Sequence, residues 1–343
     1  MQHVISNFVP AGGKHCVSNA LKQVFQYYGQ ELSEEMIFGL ASGLNFFYFE
    51  LENLPFPLIG GRSKIGRFEE SLACNLGISI ETHKTSSSRK AYDELKKLIS
   101  RDVPVVIYVD MNPLSYLRMP KDVHFGGHAV VIFGIDEERE IAYVSDRNGG
   151  ENRHAYHEVP LQELTQARGS TYKPFPPMNK WLTFDLSDMW PLEHRIIFEA
   201  IRETCTVMCC APVRNLGIKG IEFFSRKVRG WSTFEKDTFK GSCFNAYVMI
   251  NAKGGTGGGA FRRMYGNFLK ESSKIVDSEE LLQNGKEYLT LSELWDDIAD
   301  TFLELSRTGS RKRLDEIAEN LEYIHVKEEK LLSQLCTLVH SQA

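Results

Sequence analysis

Apolar positions along the chain alternate between a helical and a strand period, and the changes of period mark the elements. Over residues 16–28 (CVSNALKQVFQYY), Val17, Ala20, Leu21, Val24 and Tyr28 recur at helical spacing. Gly12 and Gly13 form a flexible approach to this helix, and Gly29 stands where a left-handed residue ends it. The Ser33 hydroxyl is placed to cap a second helix through EEMIFGLA. The aromatic-rich stretch 44–51 predicts a strand, and 64–76 and 89–101 predict amphipathic helices. Three strands follow, over 103–110, 129–135 and 140–145; the polar turn Asp136-Glu137-Glu138 between the last two signals a hairpin. A Pro160-led helix and a strand over 180–184, separated by the irregular YKPFPPMNK (172–180), close this unit. Helices first and a mostly antiparallel sheet after predict an α+β class.

From about residue 189 the pattern turns helical, beginning with a helix over 192–210. A glycine-rich GGTGGG (254–259) runs into AFRRMYGNFLKES. Thr290-x-x-Glu293 has the form of a capping box and predicts the start of a helix carrying Leu294, Ile298, Phe302 and Leu305. The last helix carries a seam of Leu314, Ile317, Leu321, Ile324, Leu331, Leu335 and Leu338, interrupted by Glu328. That seam predicts packing against the helix before it or against a second subunit, a homodimer. The 343 residues thus divide into two domains, 1–188 and 189–343.

Composition narrows the class. With 42% hydrophobic and 25% charged residues the chain is not disordered, and a net charge of −5 gives no field for nucleic acid or a membrane surface. No apolar run of about 18 residues occurs. The first residues lack a basic stretch followed by an apolar one, so no secretory signal is read. Seven cysteines, an odd number without a CxxC pair, suit free thiols in a reducing cytoplasm. Scattered His and Cys without HExxH or paired CxxC spacing give no metal site, and no bound cofactor is expected.

Three residues carry candidate chemistry. Cys16 follows the glycines and opens a helix, where unpaired amides favour a thiolate and form half of an oxyanion hole. His128 enters the apolar strand of HFGGHAVVIFGID after two glycines, and Asp146 ends the neighbouring strand, close enough to fix an imidazole tautomer. Singly, each also fits a structural role: a small core cysteine, a rim histidine, a turn aspartate in Asp-Arg-Asn-Gly. His124 and Asp136 are rivals for base and acid. His15 adjoins Cys16, but adjacent side chains do not face each other, so it is not read as the base. GGTGGG lacks the Lys-Ser/Thr of a Walker loop and reads as a flexible loop; Arg262 and Arg263 after it could hold a carboxylate or phosphate. Asn7, His15, Asp110, Arg262 and Arg263 are the candidate substrate-binding residues.

GGKHCVSNALKQVFQYYGQELSEEMIFGLASGLNF and the HFGGHAVVIFGID block resemble the N-terminal domain of the butirosin-biosynthesis BtrH family. GTGGGAFRRMYGNFLKES and LWDDIADTF resemble the helical domain that follows it there, so the resemblance covers nearly the whole chain. It implies a papain-like fold with a mainly helical C-terminal cap. It also implies transfer of an acyl group from an acyl-carrier-protein thioester, whose phosphopantetheine arm belongs to the donor, to an amine or alcohol acceptor in antibiotic biosynthesis. Cys16 is then the nucleophile, His128 the base and Asp146 the orienting acid. Papain-like proteases carry a Gln a few residues before the Cys; here the stretch is NFVPAGGKH, with Asn7 its only amide, and the second oxyanion donor is unassigned. A hydrolase (amidase, peptidase or thioesterase) or an acyl-chain cyclase would use the same triad, and a non-catalytic papain-like binding module would not use it. The C-terminal domain is expected to keep water from an acyl-enzyme. Arg226, Lys227 and Arg229 are expected to offer a basic patch to an acidic carrier protein.

Overall fold

In a computed structural model, which describes residues 2–52, 54–148 and 156–341, the apolar run of 129–135 becomes the hub of an antiparallel sheet. The elements in chain order are β1 (Gln2–Val4), α1 (Cys16–Tyr27), α2 (Glu34–Leu40), β2 (Leu44–Phe49), β3 (Leu58–Arg62), α3 (Arg67–Leu76), β4 (Ser79–His83), α4 (Ser88–Ile99), β5 (Val105–Val109), β6 (His128–Asp136), β7 (Ile141–Ser145), β8 (His157–Pro160), α5 (Leu161–Gly169) and β9 (Trp181–Asp185). Six helices follow: α6 (His194–Cys209), α7 (Gly217–Arg229), α8 (Lys236–Ile250), α9 (Arg262–Ile275), α10 (Glu279–Thr308) and α11 (Leu314–Ser341).

These elements build two units. The first takes the chain up to Ile37 and Gly77–Met189; the second takes Phe38–Leu76 and the chain from Trp190 on. The expected division at residue 188 therefore needs correction, because 38–76 packs with the C-terminal helices. The reason lies in β2, whose inward residues are large aromatics. Phe46 packs on Phe224 and Trp295, while Tyr48 stacks on Phe224 and accepts a hydrogen bond from Trp231 Nε1 at 3.0 Å.

The first unit is the α+β part. Its strands run in the order β4-β9-β5-β6-β7-β8, and β1 also pairs with β6. Every residue of β6 is buried, which is why the strand reads as a continuous apolar run instead of alternating. Both α1 and α4 pack against β5 and β6; α5 packs against β5, β7 and β8. Val109 pairs with His128 where β5 meets β6. The sequence missed β1, β4 and β8, which have three to five residues each and no apolar alternation.

The second unit is helical apart from the β2-β3 hairpin. Thr290 does not cap a helix. Ser278 does, accepting from Leu281 N at 3.3 Å, and α10 runs through Thr290, whose hydroxyl bonds back to Lys286 O. A box signature starts a helix only when the residues before it are not already helical. The GGTGGG segment is a buried turn, not a flexible loop. Gly255, Gly257, Gly258 and Gly259 have positive φ, and a Cβ on Gly259 would stand 2.5 Å from Ser292 Cα. The seam of α11 packs within the unit, on α6, α7 and α10.

Candidate active site

The approach to α1 is held by hydrogen bonds from both sides. Asn19 Nδ2 donates to Ala11 O at 3.0 Å, and Ala11 N donates to Gln23 Oε1 at 3.0 Å. Gly13 N donates to Arg147 O at 2.9 Å. A Cβ at Gly13 would fall 2.4 Å from both Asn19 Oδ1 and Glu34 Oε1, so only glycine lets the loop settle here. Glu34, in the first turn of α2, is the anchor: its carboxylate accepts from the amides of Lys14 and His15 and from the Ser18 hydroxyl. Ser33 caps α2 through a 2.9 Å bond from Met36 N. The loop thus arrives at His15, the N-cap of α1, and Cys16 opens the helix with its side chain buried.

On the sheet, His128 is buried and its Nε2 lies 2.9 Å from Asp146 Oδ2. That leaves Nδ1 for the Cys16 thiol, with which the imidazole is hydrogen-bonded. The same Asp146 oxygen accepts from Tyr116 Oη at 2.9 Å; Tyr116 stacks on His157 with ring centroids 3.9 Å apart. Asp146 Oδ1 is buried without a hydrogen-bond partner among the described residues. The structure therefore brings Cys16, His128 and Asp146 together, in that order of contact. Of the Asp-Arg-Asn-Gly segment, Gly149 lies outside the described residues.

Charge follows from this geometry. Burial alone would raise the Cys16 thiol, but the charge of His15 and hydrogen bonds from His128 and His15 hold it well below the ordinary thiol value. Burial alone would lower His128; Asp146, by charge and hydrogen bond, and then Cys16 raise it to about 10. Burial works against the Asp146 carboxylate, yet His128, Tyr116 and Arg147 keep it below its usual range. Cys209 and Cys243 go the other way, with burial pushing both thiols up to about 12. An imidazolium–thiolate pair backed by a carboxylate is the state this arrangement favours, and it suits nucleophilic attack on a carbonyl.

The remaining predicted residues are distributed differently. Contrary to expectation, His15 contacts the Cys16 side chain, because as N-cap it has an extended backbone (φ −128°, ψ 134°) that turns its ring across the helix mouth. Asn7 is exposed in the turn after β1 and makes no side-chain hydrogen bond among the described residues. Asp110 is one residue past the Val109–His128 pair, and strand alternation turns it to the other face of the sheet. There it accepts from His124 Nδ1 at 2.6 Å and Ser170 Oγ at 2.7 Å, beside a cavity of about 510 Å³. His124 is thereby engaged away from Cys16. Asp136 accepts the amides of Glu138 and Arg139 and closes the hairpin.

Arg262, expected to face a substrate, is committed within the fold. It is fully buried, makes a forked pair with Glu328 at 3.1–3.2 Å, and donates to Asn45 O and Ala260 O. This explains the Glu328 interruption of the α11 seam. Arg263 pairs with Asp296 at 2.6 Å. The basic patch is neutralised where it stands: Arg226 pairs with Glu222, Lys227 with Glu50, and Arg229 with Glu322 and Asp315. Sequence reasoning missed Glu34, Ser18 and Tyr116. None carries a spacing signal; each matters through a contact that only the folded chain creates.

Among the described residues no helix is long and apolar enough to cross a membrane, and no group of three or more His, Cys, Asp or Glu could hold a metal. No curated protein matches the chain. Two family models do. Residues 15–147 match the one described as butirosin biosynthesis protein H, N-terminal, a span that contains Cys16, His128 and Asp146. Residues 162–335, just over half of the 343, match the domain of unknown function DUF4872. The papain-like α+β fold expected for the first unit is that of the family, and the largely helical second region follows it. The chain belongs to the butirosin biosynthesis protein H family, with its N-terminal domain followed by a DUF4872 domain.

Proposed function

We propose that this protein is a cysteine-dependent acyltransferase of secondary-metabolite biosynthesis, moving an acyl group from a thioester, carried by an acyl-carrier protein, to an amine or alcohol. The observation that carries the reading is the line Cys16–His128–Asp146 at the mouth of α1, within a family whose description names an antibiotic pathway. The Cys16 thiolate attacks the thioester carbonyl, and the helix-mouth amide of Cys16 faces the developing oxyanion. The bond from carbon to the donor sulfur breaks, and protonated His128 gives its proton to the departing thiolate. Neutral His128 then takes a proton from the attacking amine or alcohol as the carbon–Cys16 bond breaks, which regenerates thiolate and imidazolium. Asp146 holds the ring in one tautomer throughout, and Tyr116 holds Asp146. With water as acceptor the same steps describe a hydrolase.

Intact-mass spectrometry after mixing the protein with an acyl-pantetheine thioester tests this. The expected result is an acyl adduct on Cys16, absent in Cys16→Ala, that an added amine discharges faster than water does. No adduct with any acyl thioester, or a Cys16→Ala protein that still transfers, would overturn it. An adduct discharged only by water would assign the hydrolase.

A further inference from the structure

Arg168 stands in the last turn of α5, only 3% exposed, and among the described residues it has no carboxylate partner. Its guanidinium reaches α4, where Nη1 donates to Ala91 O at 3.3 Å, while Nε and Nη2 are buried with no acceptor. Arg262, equally buried, meets Glu328 and two carbonyls instead. Burial acts on Arg168 unopposed and pushes its guanidinium down to about 10. A lone cation is costly to bury unless an anion balances it. The two helices that hold Arg168 also wall the cavity of about 510 Å³ beside Asp110. Thr165 and Gly169, before and after Arg168 on α5, line it, as does Ser88, one turn before Ala91 on α4. A Cβ on Gly169 would stand 3.4 Å from Ser88 Oγ, so the helices meet there. Ser88 is the first residue of α4. The Lys90 amide is capped by Ser87 Oγ at 3.2 Å, but those of Ser88 and Arg89 have no acceptor within the helix.

We propose that this cavity, where α4 meets α5, binds a small oxyanion, the carboxylate or phosphate end of a ligand, and that Arg168 is the charge it balances. The inference does not draw on the acyl-transfer reading, because Asp110 turns to the face of the sheet away from His128 and the site is separate from the Cys16 line. Two independent features call for the same sign of ligand. Nε and Nη2 form one edge of the guanidinium fork, the shape that matches two oxygens of a carboxylate or phosphate, and no group of the described fold takes it. The start of α4 adds unpaired amides and the positive end of a helix. The titratable groups lining the cavity are Asp110 and His124. The Asp110 carboxylate is wholly buried and accepts from His124, Ser170 and the amides of Asn112 and Phe125, so its charge is already covered. An oxyanion held here ties α4 to α5 and stabilises the first unit.

The test is thermal unfolding of the full chain at constant ionic strength, with sodium chloride replaced stepwise by sodium phosphate in one arm and sodium acetate in the other. The two arms tell which oxyanion fits. The melting temperature of the native protein is expected to rise, saturably, by roughly 2–4 °C in at least one arm. Arg168→Met keeps the length of the side chain and removes its charge. It should show no saturable rise, which separates a bound ion from the general stabilising effect of phosphate. In chloride alone it should melt no lower than the native protein, since a charge without a partner has been removed. No saturable rise in either arm, an equal rise in Arg168→Met, or a variant that melts well below the native protein in chloride overturns the proposal. If the variant does not fold, the native protein is titrated with the same two salts and read at the His124 ring protons by NMR. A saturable shift at His124 is expected, and its absence with both salts overturns the assignment.

Discussion

Asp146 Oδ2 accepts from two donors at once, His128 Nε2 and Tyr116 Oη, each at 2.9 Å. Asp146→Asn would keep an acceptor for both and remove only the charge that raises His128 to about 10. The alkaline limb of the transfer-rate profile should then move down by more than one pH unit, toward the ordinary imidazole value near ~6.5. Asp146→Ala also removes the acceptor and is expected to lower kcat/KM by roughly 10²–10⁴. An Asp146→Asn profile that overlays the native one refutes this.

The same groups tie stability to pH. His128 is raised on folding, so its contribution is whole below about 6.5 and lost as pH climbs through about 10. The Cys16 thiol is lowered on folding and has the opposite slope, which cancels that of His128 between about 6.5 and 8.5. Urea melts should therefore show a plateau near neutrality and a decline from about pH 8.5 to 10. In Cys16→Ser the decline should begin nearer neutrality. Identical pH dependence in the two proteins would contradict the coupling.

Glu34 gathers three donors around the loop before Cys16. Glu34→Gln places an amide group against two backbone N–H groups that now meet a carboxylate. We expect a loss of about 2 kcal/mol in a urea melt, since buried donors are left unsatisfied. Hydrogen exchange at Lys14 and His15 should accelerate, and Cys16 should alkylate more slowly at neutral pH. Unaltered exchange at those two amides would show that the carboxylate does not order the loop.

Arg262 and Glu328 form a pair with no exposure on either side chain. Burial pushes the Glu328 carboxyl up, and Arg262 opposes that. Arg262→Met leaves a bare buried carboxyl and should cost about 3–5 kcal/mol, whereas Arg262→Met with Glu328→Leu should recover most of it. Equal losses in the single and double variants would count against a true pair.

Long periodic segments were legible without coordinates: α1, α4, β5, β6 and β7 fall within a few residues of the expected bounds, because each buries one or both faces. Cys16, His128 and Asp146 stand out as candidates through local signals, a helix start, a strand start and a strand end, but singly each also fits a structural role, and it is their order together with the family resemblance that selects them. The Arg262 role was not legible, since a buried arginine and an exposed one are written alike and the partner lies 66 residues away. Nor was the part of His15. The rule that neighbours on a helix diverge fails at an N-cap, whose backbone is not helical.

The membership of 38–76 in the second unit bears on the order in which the protein is made. Synthesis delivers Phe46 and Tyr48 of β2 early, but their partners Phe224, Trp231 and Trp295 emerge more than 170 residues later. The first unit has all of its parts once Met189 is out, so it is free to fold around an excursion that is still unfinished. Nascent chains stalled only after Met189 has left the ribosome should therefore hold a closed Cys16 loop while β2 stays open to protease. A stop codon after Met189 yields not an isolated domain but one with a sticky aromatic loop.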